Sequence, residues 1–230
     1  MIAYYPRFRD GADAGLVPKL GGLPWGFPQR RWPVCEECGG AMSHLAQLPH
    51  EPRTMPVGDG QVLFIFKCES GDGCSFWEHD GGANAIVTVE RSALGDGPTP
   101  APESDGAPAP VLREIGITGW DEKDDGAPPE LEAAFYRYGT HSDLPKAISA
   151  PHNWAAGWHT KSGGVPCWTA NGAQAQPDMP PGRLLLQIDN WLALEGGGTA
   201  EIANFCSDGT AYVFIDRAAV PPTYSMFINR

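Results

Sequence analysis

Lys19-Leu-Gly-Gly-Leu-Pro-Trp25 returns 142 residues later as Lys161-Ser-Gly-Gly-Val-Pro-Cys-Trp168, with the lysine, both glycines and the proline at matching offsets. After each copy comes a proline-bearing loop and then an apolar run with one glutamine, His44-Leu-Ala-Gln-Leu48 and Leu184-Leu-Leu-Gln-Ile188, now offset by 140. A Gly-bearing loop and a second apolar run follow each time, Val62-Leu-Phe-Ile-Phe66 and Ala211-Tyr-Val-Phe-Ile215. Three elements in one order predict an internal duplication. Each copy presents a hydrophobic sheet face that the other can cover, so the expected fold class is mostly β, a pseudo-twofold β-rich unit with one shared core. Lys19, Gly21, Gly22, Pro24 and Trp25 mark the motif in the first copy; Lys161, Gly163, Gly164, Pro166 and Trp168 mark it in the second. Gln47 and Gln187, each inside an apolar strand, are expected to be buried, hydrogen-bonded and tied to the Gly-Gly turn of their own repeat.

Working outward, residues 16–94 form the expected first repeat and 161–216 the second, within a single domain spanning 1–230. Gly95 to Pro110 holds five Pro and three Gly in sixteen residues, which predicts a solvated loop. Residues 111–160 supply a connecting strand, Val111 to Ile117, and a helix over Pro129 to Tyr138, where Leu131, Ala134, Phe135 and Tyr138 recur at helical spacing. Ser75 to His79, Ala85 to Glu90 and Tyr224 to Ile228 are further strand candidates. Asp121-Glu-Lys-Asp-Asp125 is too irregular for a calcium loop and reads as a solvated turn.

Composition narrows the function. Twenty-eight Asp and Glu against 16 Lys and Arg give a net charge of −12, a field that repels phosphate backbones and anionic membranes. No stretch has the length and hydropathy of a signal peptide or a membrane span, so the expected address is cytoplasmic. In a reducing compartment six cysteines are thiols or metal ligands before they are disulfides.

Four of them form a pattern. Cys35-Glu-Glu-Cys38-Gly39 is a metal knuckle, two thiolates three positions apart with a glycine that lets the chain turn tightly. Cys68 and Cys74 add a second pair about thirty residues on, with Gly71 and Gly73 between them. Together they predict a zinc-ribbon-like insertion in the first repeat. His44, His50 and His79 are spare candidates for one ligand position, while Cys167 and Cys206 lack such companions and are expected to pack. A four-thiolate centre has no open position for water, so the expected zinc is structural. Residues 30–80 carry four Lys and Arg against eight Asp and Glu, so this ribbon is not expected to bind nucleic acid.

The combined signature resembles a known pattern: Lys19 to Trp25, then Cys35-Glu-Glu-Cys38-Gly39-Gly40-Ala-Met42, then Leu45-Ala-Gln-Leu48, then Val62-Leu-Phe-Ile-Phe-Lys-Cys68. It is similar to the bacterial YwqG-like family of unknown function and, more distantly, to the eukaryotic programmed cell death protein two family. The resemblance runs from about residue 16 to 216. It implies a mostly β, internally duplicated fold without recognised catalytic residues. The eukaryotic relatives hold a newly made ribosomal protein, so it also implies protein binding, with a basic protein as a partner that suits an acidic chain.

Two readings of function follow. The first is a non-enzymatic, zinc-containing protein-binding or chaperone-like protein, with some of the eight Trp (Trp25, Trp32, Trp154, Trp158 and Trp168 lie near Gly or Pro) as interface anchors. The second is a hydrolase or transferase with its active site in a cleft between the repeats, to which His141, His152 and His159 could contribute. No nucleophile, phosphate loop or paired histidine motif singles out the second.

Overall fold

The protein is described from a computed structural model over residues 1–70, 73–104, 107–137, 160–168, 180–206 and 208–229. The chain runs β1 (Ile2–Asp10), β2 (Lys19–Leu20), β3 (Ser43–Pro49), β4 (Gln61–Lys67), β5 (Asn84–Glu90), β6 (Glu103–Ser104), β7 (Ala107–Pro108) and β8 (Ile115–Asp124). It continues through α1 (Glu132–Arg137), β9 (Lys161–Gly163), β10 (Arg183–Asp189), β11 (Trp191–Ala193), β12 (Thr199–Glu201), β13 (Thr210–Asp216) and β14 (Thr223–Asn229). Ten strands make one sheet in the order β14-β13-β10-β9-β1-β8-β2-β3-β4-β5; β6 with β7 and β11 with β12 form small ribbons.

The ten-stranded sheet nearly closes on itself. At its two ends, the Asn84 side chain of β5 donates to the Met226 carbonyl of β14 (3.2 Å), and the Ile228 N–H donates to the Phe76 carbonyl (3.1 Å). At its centre β1 and β8 pair antiparallel from Ile2↔Asp124 to Asp10↔Ile115, with a register shift at Arg7/Phe8. On the two sides of this pair the same pairings occur. The short strand sets its lysine opposite the glutamine of the next strand, Lys19↔Gln47 and Lys161↔Gln187. That next strand shifts register between His44 and Ala46 in one flank and between Leu184 and Leu186 in the other. The glutamine then faces an aromatic residue, Gln47↔Phe64 and Gln187↔Tyr212.

Burial explains why β4 and β13 read as unbroken apolar runs and not as alternating ones: both faces are covered. Phe64 and Phe66 pack on Phe27 and Trp32, with ring centroids 4.9 to 5.2 Å apart. Their neighbours Leu63 and Ile65, which alternate with them along the strand, belong to the same buried core. In β13, Tyr212 and Phe214 pack with Trp168 and Phe227, whereas Ala211, Val213 and Ile215 belong to the main core. Trp32 and Trp168 are therefore core residues and not interface anchors, and Trp25 is half-buried. Trp154 and Trp158 lie outside the described residues.

Several expectations are corrected. The strand expected over Val111 to Ile117 starts only at Ile115 and runs on through Asp124, so most of the acidic stretch expected to be a turn is strand paired with β1. Alternating charge obscured it, and the buried member of the stretch is Asp125. Ser75 to His79 forms turns and joins no ladder, with Phe76 accepting a single backbone bond from Ile228 of β14. The helix is shorter than expected: a 3-10 turn at Pro129–Leu131 precedes α1, and Tyr138 lies outside the described residues. The described residues of Gly95 to Pro110 range from exposed to half-buried, with Ala109 buried, and the segment also carries the β6–β7 ribbon, while Pro98 bridges to Trp25. Among the described residues no helix is long and apolar enough to cross a membrane.

Candidate metal centre

Cys35 and Cys38 sit on the turn before β3; Cys68 follows β4, and Cys74 lies on the connection to β5. The first turn is closed by two backbone bonds, Cys35 N–H to the Gly40 carbonyl and Gly39 N–H to the Cys35 carbonyl, both 2.8 Å. Gly39 has φ +70, a left-handed conformation that its lack of a Cβ makes inexpensive. The second segment is fastened to the first by Glu36 N–H to the Gly82 carbonyl (3.0 Å) and by Ser75 N–H to the Glu37 carboxylate (2.7 Å). Cys68 N–H donates to the Ala83 carbonyl (2.8 Å), which ends β4 beside the turn.

These loops bring all four thiols together, with every Sγ within 4.8 Å of the others. Cys38 Sγ and Cys68 Sγ are 3.7 Å apart. A tetrahedral ion with metal–sulfur bonds of about 2.3 Å needs sulfurs about 3.8 Å apart, so the donor set and its spacing fit a metal of the zinc kind. Cys35, Cys68 and Cys74 are buried and Cys38 is exposed, so solvent reaches the centre from one side. Of the spare histidines, His44 and His50 are engaged elsewhere, and neither they nor His79 belong to the group. Gly71 is outside the described residues.

Burial pushes the Cys74 thiol up to about 12 and raises Cys35 as well, so without a metal these sulfurs stay protonated. Cys38 is lowered to about 7, chiefly by a hydrogen bond from the Ser70 hydroxyl 3.2 Å away, with the Gly40 N–H contributing at 3.4 Å. Ser70, which the cysteine spacing does not flag, also lies 2.9 Å from Cys68 Sγ. The buried Lys67 ammonium donates to the Cys68 carbonyl and to Glu69, both at 2.8 Å. Glu69 accepts in turn from Asn204 N–H (3.3 Å), which ties the centre to the other flank of the sheet.

The repeated motif residues occupy similar settings. Both Gly-Gly turns are left-handed, with φ +62 and +63 at Gly21 and Gly22 and +71 and +66 at Gly163 and Gly164. A side chain on Gly22 would overlap the Glu114 carboxylate, and one on Gly164 the Asp125 carboxylate. Lys19 Nζ lies 2.5 Å from Glu114 and donates to the Leu23 carbonyl (2.7 Å). Lys161 Nζ lies 3.7 Å from Asp125, with both residues fully buried. Gln47 accepts from Trp25 N–H (2.6 Å) and donates to the Val17 carbonyl (2.8 Å); Gln187 accepts from Cys167 N–H (3.0 Å). Each glutamine thus holds the chain just past the conserved-spacing proline, Pro24 or Pro166.

His44 gives this framework a pH dependence. Its Nδ1 lies 3.2 and 3.1 Å from the Gly21 and Gly22 carbonyls, and burial lowers its pKa to about 4. The unfolded chain takes up that proton near pH 6.5, so between pH 6.5 and 4 the unfolded state binds more protons and stability falls as pH drops. At ~1.4 kcal/mol per pH unit the loss is roughly 3 kcal/mol across that window. We expect His44→Asn, which can still donate to the two carbonyls, to lose less stability than wild type between those pH values. Denaturant unfolding of both proteins at each pH checks it, and parallel curves would contradict it.

Elsewhere, the largest surprises are the buried Lys67 and Lys161, since lysine is seldom fully buried. Desolvation lowers the Lys161 pKa, and burial raises the neighbouring Cys167 thiol to about 12. A cleft of about 290 Å³ between β1, β8 and the β3–β4 connection is lined by Tyr4, Glu51, Arg53, Thr54, Trp120 and Glu122. Its charges are committed: Arg53 pairs with Glu122 and lies over the Tyr4 ring, and Glu51 accepts from Arg53 N–H and Thr54 N–H. His141, His152 and His159 lie outside the described residues. A scan of protein-family models finds no match to this chain, and a search of curated proteins finds none.

Proposed function

We propose that this is a non-enzymatic, zinc-containing protein that binds or holds another protein, as the resemblance of its motifs to the programmed cell death protein two family implies. The observation that carries the reading is the four-cysteine centre: four sulfurs within 4.8 Å of one another can fill the coordination of one zinc, which would leave no position for a substrate or a reactive water. The zinc then braces the loops around β3 to β5 as a ribbon-like insertion and performs no chemistry. The matching pairings on the two flanks of β1 and β8, down to the glutamine bonds and register shifts, support two copies of one unit, and among the described residues the four-cysteine group lies in the first. Six free cysteines suit a reducing, cytoplasmic setting. The charge of −12 suits a basic protein partner and disfavours nucleic acid and anionic membranes.

The test is affinity capture of the metal-loaded protein from its own cells. A specific, near-stoichiometric protein companion is expected, with association that slows as salt rises. The rival hydrolase or transferase would place its chemistry in the Tyr4–Arg53–Glu122 cleft. Turnover in an activity screen that disappears on Arg53→Ala, together with capture that returns no specific companion, would decide for the enzyme.

A further inference from the structure

The two cysteine loops carry exposed apolar side chains together with exposed acidic ones. Val34 is 56% exposed and Trp77 40% exposed, on the two loops that Glu36, Glu37, Gly82 and Ser75 hold together. Residues 33–43 and 68–83 contain six Asp and Glu and no Lys or Arg. Glu36, Glu37, Glu78 and Asp80 are exposed there. A metal dication held by four thiolates adds a further net negative charge. Lys67, the nearest lysine, does not offset this outside, because it is buried and spent on Cys68 and Glu69.

We infer that these loops are the docking surface for an arginine-rich segment of another polypeptide, a localisation that rests on the protein-binding reading above. The chemistry selects that occupant. A guanidinium can lie flat on an exposed indole and gain both stacking and cation–π attraction, while its N–H fork pairs with a carboxylate. Trp77 with Glu78 and Asp80 beside it in sequence offers both kinds of contact at once. The aliphatic stem of the arginine, or an apolar neighbour in the segment, covers Val34. Because the loops are fastened by the metal and by backbone bonds, little ordering cost falls on this side of the complex.

The probe is a synthetic peptide of alternating arginine and leucine, with a glutamate-for-arginine peptide as control, titrated against metal-loaded protein. Wild type is expected to bind the arginine peptide and not the control. Trp77→Ala, and separately Glu78→Lys with Asp80→Lys, should each weaken binding at least about tenfold, as hot-spot residues do. Glu130→Lys with Asp13→Lys makes the same change in net charge away from these loops and should leave affinity within about twofold. Equal weakening by the two charge-reversed pairs would overturn the docking surface and leave the protein-binding reading intact, with only the whole-molecule field attracting the peptide. Wild type that binds neither peptide would also overturn the surface, whereas the wider reading fails only if capture returns no companion.

Discussion

Replacing Cys68 with alanine is expected to abolish stoichiometric metal binding and to destabilise the first flank more than any other single change. Zinc binding to small thiolate sites releases on the order of 10–16 kcal/mol, and whatever part is specific to the folded state appears as stability. Here the loops are also held by Glu36 N–H, Ser75 N–H and Cys68 N–H, so only part of that energy is at stake. We expect a loss of about 4 kcal/mol, which in a chain of this size lowers Tm by roughly 10 °C. Elemental analysis should find about one zinc in wild type and close to none in the variant. Cys206→Ser should keep its metal, because Cys206 is outside the thiol group. Hydrogen exchange should accelerate over residues 34–41 and 68–83 and hardly change in β1 and β8. Full metal content in Cys68→Ala, or a folded wild type that takes up no metal, would contradict the assignment.

The second large effect concerns the buried pair on the other flank. Asp125 accepts from Ala127 N–H (3.1 Å) and Val165 N–H (2.9 Å), pairs with the Met1 ammonium (2.9 Å) and faces Lys161 across 3.7 Å, with both the carboxylate and the Lys161 side chain fully buried. Asp125→Ala leaves Lys161 buried without its counter-charge and should cost about 3–5 kcal/mol, whereas Lys161→Met removes the charge, keeps the volume and should cost little. The double variant should recover part of the Asp125→Ala loss, leaving the deficit of the two N–H groups and of the Met1 ammonium. Glu114→Ala on the first flank should cost less, because Glu114 is 34% exposed and water can solvate Lys19 in its place. Chemical denaturation of the four proteins tests this. If the double variant is no more stable than Asp125→Ala, the ion pair is not what holds this turn.

What could be read in the residues was whatever depends on local spacing. The knuckle at Cys35 and Cys38 and the pair at Cys68 and Cys74 were legible because thiolates and turn glycines advertise themselves. The strands β3, β4, β10 and β13 were legible because both faces are buried and the apolar run is unbroken. β1 was not, for the opposite reason: Pro6, Arg7 and Arg9 interrupt its alternation, and its register shift at Arg7/Phe8 puts Phe8 out of step. β8 was half-read, since Glu122, Lys123 and Asp124 are exposed along its far end and look like a solvated turn. The ion pair of Lys161 depends on Asp125, which only the tertiary fold brings near, and the role of Ser70 depends on where Cys38 and Cys68 meet. Burial of the Trp residues could not be read either, because a Trp near Gly or Pro looks the same whether it stays half-buried, as at Trp25, or folds down onto a sheet, as at Trp168.

The claim that joins these observations is that the centre is closed: one zinc, four sulfurs, no site for chemistry. X-ray absorption at the zinc edge of the purified, metal-loaded protein measures that coordination sphere directly. The account predicts four sulfur neighbours at about 2.3 Å and no nitrogen or oxygen neighbour. A shell with three sulfurs or fewer plus an oxygen or nitrogen at about 2.0 Å would contradict it, because an open position would return metal chemistry to the protein.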